Sequence, residues 1–230
     1  MIVLSRFTPN GPYPAMAKKL AESCVKWGLR WDIQQVPASS GWKANENLKP
    51  RWILSKLIEA REAVLWLDAD TEVIQPPMLL MGCSADFACY NWRADQGNTG
   101  GFAYDPQTLL CSGGVLMFGY TAAAVELALR WSNKTGTDPS PVSADQDLDA
   151  AFNQSHPPVN PLWLPKAYNR MDRHWPDVDP VINHEYRARS NGGNNDGHEQ
   201  PAGGAVQPLP GGQDGGSGGE GCQHGRLRLG

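Results

Sequence analysis

No segment of the chain gathers lysine and arginine into a run, which removes the usual electrostatic footprint of a nucleic-acid binder. The formal net charge of −4 points the same way. No apolar stretch approaches the roughly 20 residues that a spanning helix needs, so no membrane span is expected. The opening MIVLSRFTPN has too short an apolar run for a signal peptide and meets Arg6 at once. Cysteine is scarce, and Cys24, Cys83, Cys89, Cys111 and Cys222 are odd in number and form no C-x-x-C pair. Reduced thiols in a cytoplasmic protein are the expectation. P-loop, zinc-protease and G-x-S-x-G patterns are missing, as is any internal repeat.

What is present suffices for a folded domain. The chain has 230 residues, 40% of them hydrophobic, which suits one domain or a domain with an appendage. Composition breaks near Asn191, and residues 192–230 are so rich in glycine that they bury little apolar surface against their ordering entropy. We expect a folded domain over 1–191 and a disordered tail over 192–230. A metal site among the tail's His198, Cys222 and His224 is not expected.

Residues 1–190 alternate between strand and helix patterns. Strands are predicted at 2–7, 31–36, 63–67, 85–92, 109–119, 162–168 and 180–186. Helices are predicted at 13–28, from Pro50 to about Arg61, at 121–134 with Thr121 as N-cap, and at 144–154. Residues 37–49 read as a polar loop. The alternation implies an α/β fold, a single Rossmann-like domain whose mostly parallel central sheet is flanked by helices.

Residues 63–67, AVLWL, are apolar at consecutive positions, as in a strand covered on both faces, and they stop at Asp68 and Asp70. Ligands of α/β sheets collect beyond the carboxyl ends of strands. If the chain stays extended there, the two carboxylates point to one side, with Cα atoms about 6.6 Å apart. Such a pair can grip Mg²⁺ or Mn²⁺. A strand-ending turn, where aspartate is common, explains the same residues. Asp145/Asp147 and Asp177/Asp179 repeat the spacing, but neither pair ends an apolar strand.

The segment KPRWILSKLIEAREAVLWLDADTEVIQPP resembles the core of nucleotide-sugar glycosyltransferases of the GT-A fold, in which a lysine-bearing helix leads into a strand ending in Asp-x-Asp. Three later stretches agree in order. CSGGVLMF (111–118) resembles the small-residue turn entering a strand beside the donor sugar. SADQDLDAAF (143–152) resembles the Asp-Gln helix start, and PVINHEYRARS (180–190) resembles the closing strand whose histidine completes the metal site. The opening β-α unit also fits, so the likeness covers about residues 1–190. Ser112 stands where the family often has asparagine, and little chain is left over for an acceptor-binding insertion.

The resemblance implies a cation, Mn²⁺ or Mg²⁺, on Asp68, Asp70 and His184, with Ala69 completing the motif. It implies donor contacts from Thr8, Tyr13, Lys49, Ser112, Gly113 and Gly114, and a catalytic role for Asp145 and Gln146. Each has an ordinary rival. A lone strand histidine is usually structural, Lys49 and Lys56 can be solvated, and Tyr13 can pack. Ser143 to Gln146 is a capping box in which Asp145 favours the helix dipole. Asp147 reads as a solvated first-turn acid and Trp66 as core, whereas Trp42 and Trp92 are candidates for stacking on a sugar.

The implied activity is metal-dependent transfer of a sugar from a nucleotide-diphosphate donor, a UDP-sugar, to a glycan, lipid or protein acceptor. The histidine in the metal set resembles retaining members. An aspartyl-phosphate phosphatase is a rival for WLDADTE, but it calls for Thr or Val where Glu72 stands. A sugar nucleotidyltransferase would need a G-x-G loop after the first strand, which SRFTPNGPYP lacks. A non-catalytic sugar-nucleotide binder is the remaining alternative.

Overall fold

The computed structural model describes residues 1–38, 42–135, 142–156 and 158–184. The strands are β1 (Ile2–Phe7), β2 (Trp31–Gln35), β3 (Val64–Leu67), β4 (Thr71–Val73), β5 (Phe87–Asn91), β6 (Cys111–Phe118), β7 (Pro161–Trp163) and β8 (Ile182–His184). The helices are α1 (Tyr13–Lys26), α2 (Trp42–Asn47), α3 (Lys49–Ala60), α4 (Ala122–Thr135) and α5 (Ala144–Asn153), and Lys166–Asn169 forms a 3-10 turn.

Six strands make one sheet in the order β2-β1-β3-β6-β5-β7. The pairs β1–β2, β1–β3 and β5–β7 are parallel, whereas β6 runs antiparallel to both β3 and β5. Five strands therefore point one way and β6 alone is reversed. Its first residues lie at the edge where its neighbours end. The sheet is a mixed α/β layer, mostly parallel, as expected.

Every residue of β3 is buried, and alternate side chains enter opposite layers. Val64 and Trp66 join Ile53 and Leu57 of α3 and Leu127 and Trp131 of α4 on one face. Leu65 and Leu67 join Leu20 and Cys24 of α1 on the other. This two-sided burial is why AVLWL carries no polar residue.

Several elements depart from expectation. Asp68–Asp70 is not extended. Thr71 N–H donates to the Asp68 carbonyl at 3.0 Å, closing a tight turn that feeds β4, which the pattern did not suggest. Part of the expected loop 37–49 is α2. The strand expected over 162–168 stops at Trp163, because Pro165 leads into the 3-10 turn instead. Residues 185–186 of the expected last strand, and the tail over 192–230, lie outside the described residues.

Candidate functional site

β3 and β1 end at the same edge of the sheet, which brings Asp68 and the Thr8–Tyr13 connection to one side. Asp68 keeps the side-chain parity of Val64 and Trp66 and so turns toward the α3 layer. There its Oδ1 accepts from the Trp66 indole N–H at 2.7 Å and lies 3.2 Å from Lys49 Nζ. Thr71 Oγ1 donates to the Asp68 carbonyl at 2.7 Å and locks the turn.

His184 arrives from far along the chain through a short ladder. β4 and β8 pair antiparallel in a separate two-stranded sheet, with Thr71 opposite His184. That register sets the imidazole beside both carboxylates, with Nε2 at 3.5 Å from Asp70 Oδ1 and 3.9 Å from Asp68 Oδ2. One ligand atom from each of Asp68, Asp70 and His184 lies within 4.8 Å of the others. Two carboxylate oxygens and one imidazole nitrogen form a donor set suited to a divalent cation.

The glycines of β6 explain how these groups come so close. A Cβ on Gly114 would sit 2.2 Å from His184 Cε1, and one on Gly113 would sit 2.0 Å from Asp145 Oδ1. Both positions must lack a side chain so that the imidazole and the Asp145 carboxylate can lie on the strand. Residues 112–114 are therefore strand rather than turn, and the groups on the two glycines are protein side chains.

α5 contributes two carboxylates four residues apart, hence on one face. Asp145 Oδ2 accepts from Gly113 N–H at 3.2 Å, and Asp149 Oδ1 accepts from Cys111 N–H at 2.8 Å. The capping box is present. Gln146 N–H donates to Ser143 Oγ at 3.3 Å, and Ser143 N–H donates to Gln146 Oε1 at 3.0 Å. Gln146 is exposed and its side chain is committed to the cap, while Asp145 faces the strand. Asp147, expected to be solvated, is buried in the helix interface, because its helical position turns it inward.

Lys49 is only 6% exposed, so it lies beneath the cluster, with Nζ also donating to the Gly113 carbonyl at 3.3 Å. Burial pulls its pKa down, but the carboxylates of Asp68, Asp145 and Glu46 outweigh burial and raise it. Burial pushes the Asp68 carboxyl up, yet Lys49, His184 and the Trp66 N–H together hold it below the ordinary carboxylate value. His184 is buried, which lowers its pKa, but Asp70 and Asp68 win and raise it. Burial lifts Asp149 to about 7. Lys56 pairs with Asp32 at 2.9 Å and Glu59 at 3.2 Å, outside this cluster.

Two contributors were not foreseen. Trp66, expected as plain core, also holds Asp68. Asn169, on the 3-10 turn, meets His184 Nδ1 through Oδ1 at 3.2 Å. The first was foreshadowed by an indole two residues before the motif; the second had no signal. Beside this turn a cavity of about 490 Å³ is lined by Tyr90, Asp95, Trp163, Lys166 and neighbours. Trp92 packs edge-to-face on Tyr90 at 5.0 Å, so its ring is part of an aromatic cluster.

No protein-family model matches the chain, and no characterised protein matches it by sequence. By structure it is similar to a glycosyltransferase involved in the glycosylation of the major capsid of PBCV-1, with a TM-score of 0.59 and 18% identity, over 80% of this chain and 92% of that one. It is also similar to the galactosyltransferase LgtC, solved with donor and acceptor sugar analogs, with a TM-score of 0.50 and 14% identity, over 81% of this chain and 87% of that one. The chain therefore has the GT-A fold of glycosyltransferases, with an Asp-x-Asp turn at the carboxyl edge of its central sheet.

Proposed function

We propose that the protein is a cation-dependent glycosyltransferase that moves a sugar from a nucleotide-diphosphate donor, a UDP-sugar, to a hydroxyl on a glycan, lipid or protein acceptor. The observation that carries this reading is the convergence of Asp68, Asp70 and His184 at the sheet edge of a GT-A fold. Their donor atoms fit a divalent ion, and the imidazole favours Mn²⁺ over Mg²⁺. Bound there, the ion would stabilise the charge that develops on the departing diphosphate.

The chain's own residues divide the remaining tasks. Thr8 and Tyr13 follow β1 at the same edge and would contact the base or ribose. Lys49, buried beside Asp68, adds positive charge beneath the site of the diphosphate. Ser112, Gly113 and Gly114 offer a floor of backbone, on which Asp145 would orient the sugar or take the acceptor's proton. Gln146 is left to the helix cap. The cavity lined by Asp95, Lys166, Tyr90 and Trp163 is the place we assign to the acceptor. We further infer a retaining outcome from the histidine in the cation set. Free thiols at Cys24, Cys83, Cys89 and Cys111 support a cytoplasmic setting.

The test is a panel of UDP-sugars with Mn²⁺, read as UDP release. Release with at least one sugar, abolished by chelation and by Asp70→Ala, is the expected result. Undiminished release in Asp70→Ala removes the cation role. UDP binding without release for any sugar would instead favour a sugar-nucleotide binder.

A further inference from the structure

We propose that Trp66 and Asn169 are positioning residues that decide which atoms of Asp68 and His184 meet the cation, so that it is held through Asp68 Oδ2 and His184 Nε2 beside Asp70 Oδ1. The inference rests on the cation reading of that cluster and goes beyond it by assigning individual atoms.

Asp68 has two oxygens with different surroundings. Oδ1 takes the indole N–H of Trp66 at 2.7 Å and has Lys49 Nζ at 3.2 Å, two strong donors on one atom. Oδ2 lies on the imidazole side, 3.9 Å from Nε2. The Trp66 ring cannot easily swing to release Oδ1. It packs edge-to-face on Trp52 at 5.7 Å and lies beneath Lys49, whose Nζ is 5.2 Å from the ring centre. Asp68 is thus presented as a one-oxygen ligand.

The imidazole is fixed from its other side. An amide oxygen only accepts, so with Asn169 Oδ1 at 3.2 Å from Nδ1 we assign the proton of the neutral imidazole to Nδ1, which leaves the Nε2 lone pair toward the carboxylates. Asn169 is fully buried, and among the described residues its amide nitrogen finds no hydrogen-bond partner. Among the described residues, the contact with His184 is the one its side chain makes. Arg170, the next residue, accepts His184 N–H at 2.8 Å, so one short segment holds both the backbone and the ring of the histidine.

The experiment is a Mn²⁺ titration of the full chain read by the electron paramagnetic resonance of free Mn²⁺, without nucleotide. Trp66→Phe keeps the ring packing and removes the N–H; Asn169→Leu removes the acceptor; Asn169→Asp keeps it. Trp66→Phe and Asn169→Leu should each weaken Mn²⁺ binding by about 10- to 100-fold, with Asn169→Asp close to the wild type. Nitrogen-15 spectra of the imidazole, taken at a pH where it is neutral, should show the proton on Nδ1 in the wild type and a tautomer mixture in Asn169→Leu. Affinities of Trp66→Phe and Asn169→Leu within about 2-fold of the wild type, while Asp70→Ala abolishes binding, would refute the positioning roles and leave the site intact. So would a proton on Nε2 in the wild type. Absence of Mn²⁺ binding by the wild type would overturn the cation reading itself.

Discussion

Replacing Gly114 by alanine isolates the link between a bare strand and the candidate cation site. The new Cβ would lie 2.2 Å from His184 Cε1, 2.5 Å from Nδ1 and 2.8 Å from Nε2. Carbon atoms settle at about 3.5–4.0 Å, so the ring must retreat by about 1.3–1.8 Å. Ligand distances in a metal site tolerate about 0.2 Å, several times less than that retreat. Gly114 is not among the positive-φ residues, so the cost comes from overpacking alone, about 1–3 kcal/mol. For a domain of this size that corresponds to a fall in Tm of about 2–12 °C. Mn²⁺ binding, measured by calorimetry, should weaken by about 10- to 100-fold. The double variant with His184→Ala supplies the decisive comparison. Without the ring the added methyl has nothing to strike, and the stability penalty of Gly114→Ala should vanish. Wild-type Mn²⁺ affinity in Gly114→Ala, or a penalty that persists in full beside His184→Ala, would refute the reasoning.

Three further outcomes are expected. Because burial lifts Asp149 to about 7, above its unfolded value, its contribution to stability is present below about pH 4 and is lost as pH rises through 7. Asp149→Asn should therefore flatten that decline and exceed the wild type in Tm above pH 7; parallel Tm–pH curves would contradict this. The folded pKa of His184 is raised, so its favourable contribution to the cation-free fold is present below about pH 6.5 and is lost as pH rises through that folded value. Protons and cation compete for Nε2, so apparent Mn²⁺ affinity should climb with pH across the same window, and a flat profile would speak against Nε2 as ligand. Ser143→Ala should cost about 0.5–2 kcal/mol of stability without changing Mn²⁺ affinity. Gln146→Ala should behave likewise, and a loss of turnover beyond its stability cost would support the catalytic role expected for Gln146.

The parts of the fold that were legible in the sequence are those encoded locally. A two-sided apolar strand ending in acids marked β3 and the acidic pair beyond it, and helix periodicity with Thr121 and Ser143 as caps marked α4 and α5. β4 escaped because three residues after two aspartates leave no period to detect. The reversal of β6 was invisible, since strand direction depends on the partner and not on the strand's own pattern. The same holds at the site. Gly113 and Gly114 signal that something comes close, but only the fold identifies it as Asp145 and His184. Nothing near Asn169 announces its bond to an imidazole fifteen residues on. The paired aspartates stood out as a motif in the sequence; the groups that surround them were assembled by tertiary contact.

The ladder joining Thr71 to His184 has an implication for how this scaffold tolerates change. Strand pairing allows sliding only in steps that also flip faces, so a slip by one position would turn the imidazole away from the acids altogether. Insertions elsewhere between the two rungs, in surface connections such as that from β5 to β6, leave the rungs opposed. Diversification in those connections can therefore proceed, while three register pairs between β4 and β8 keep His184 beside Asp68 and Asp70.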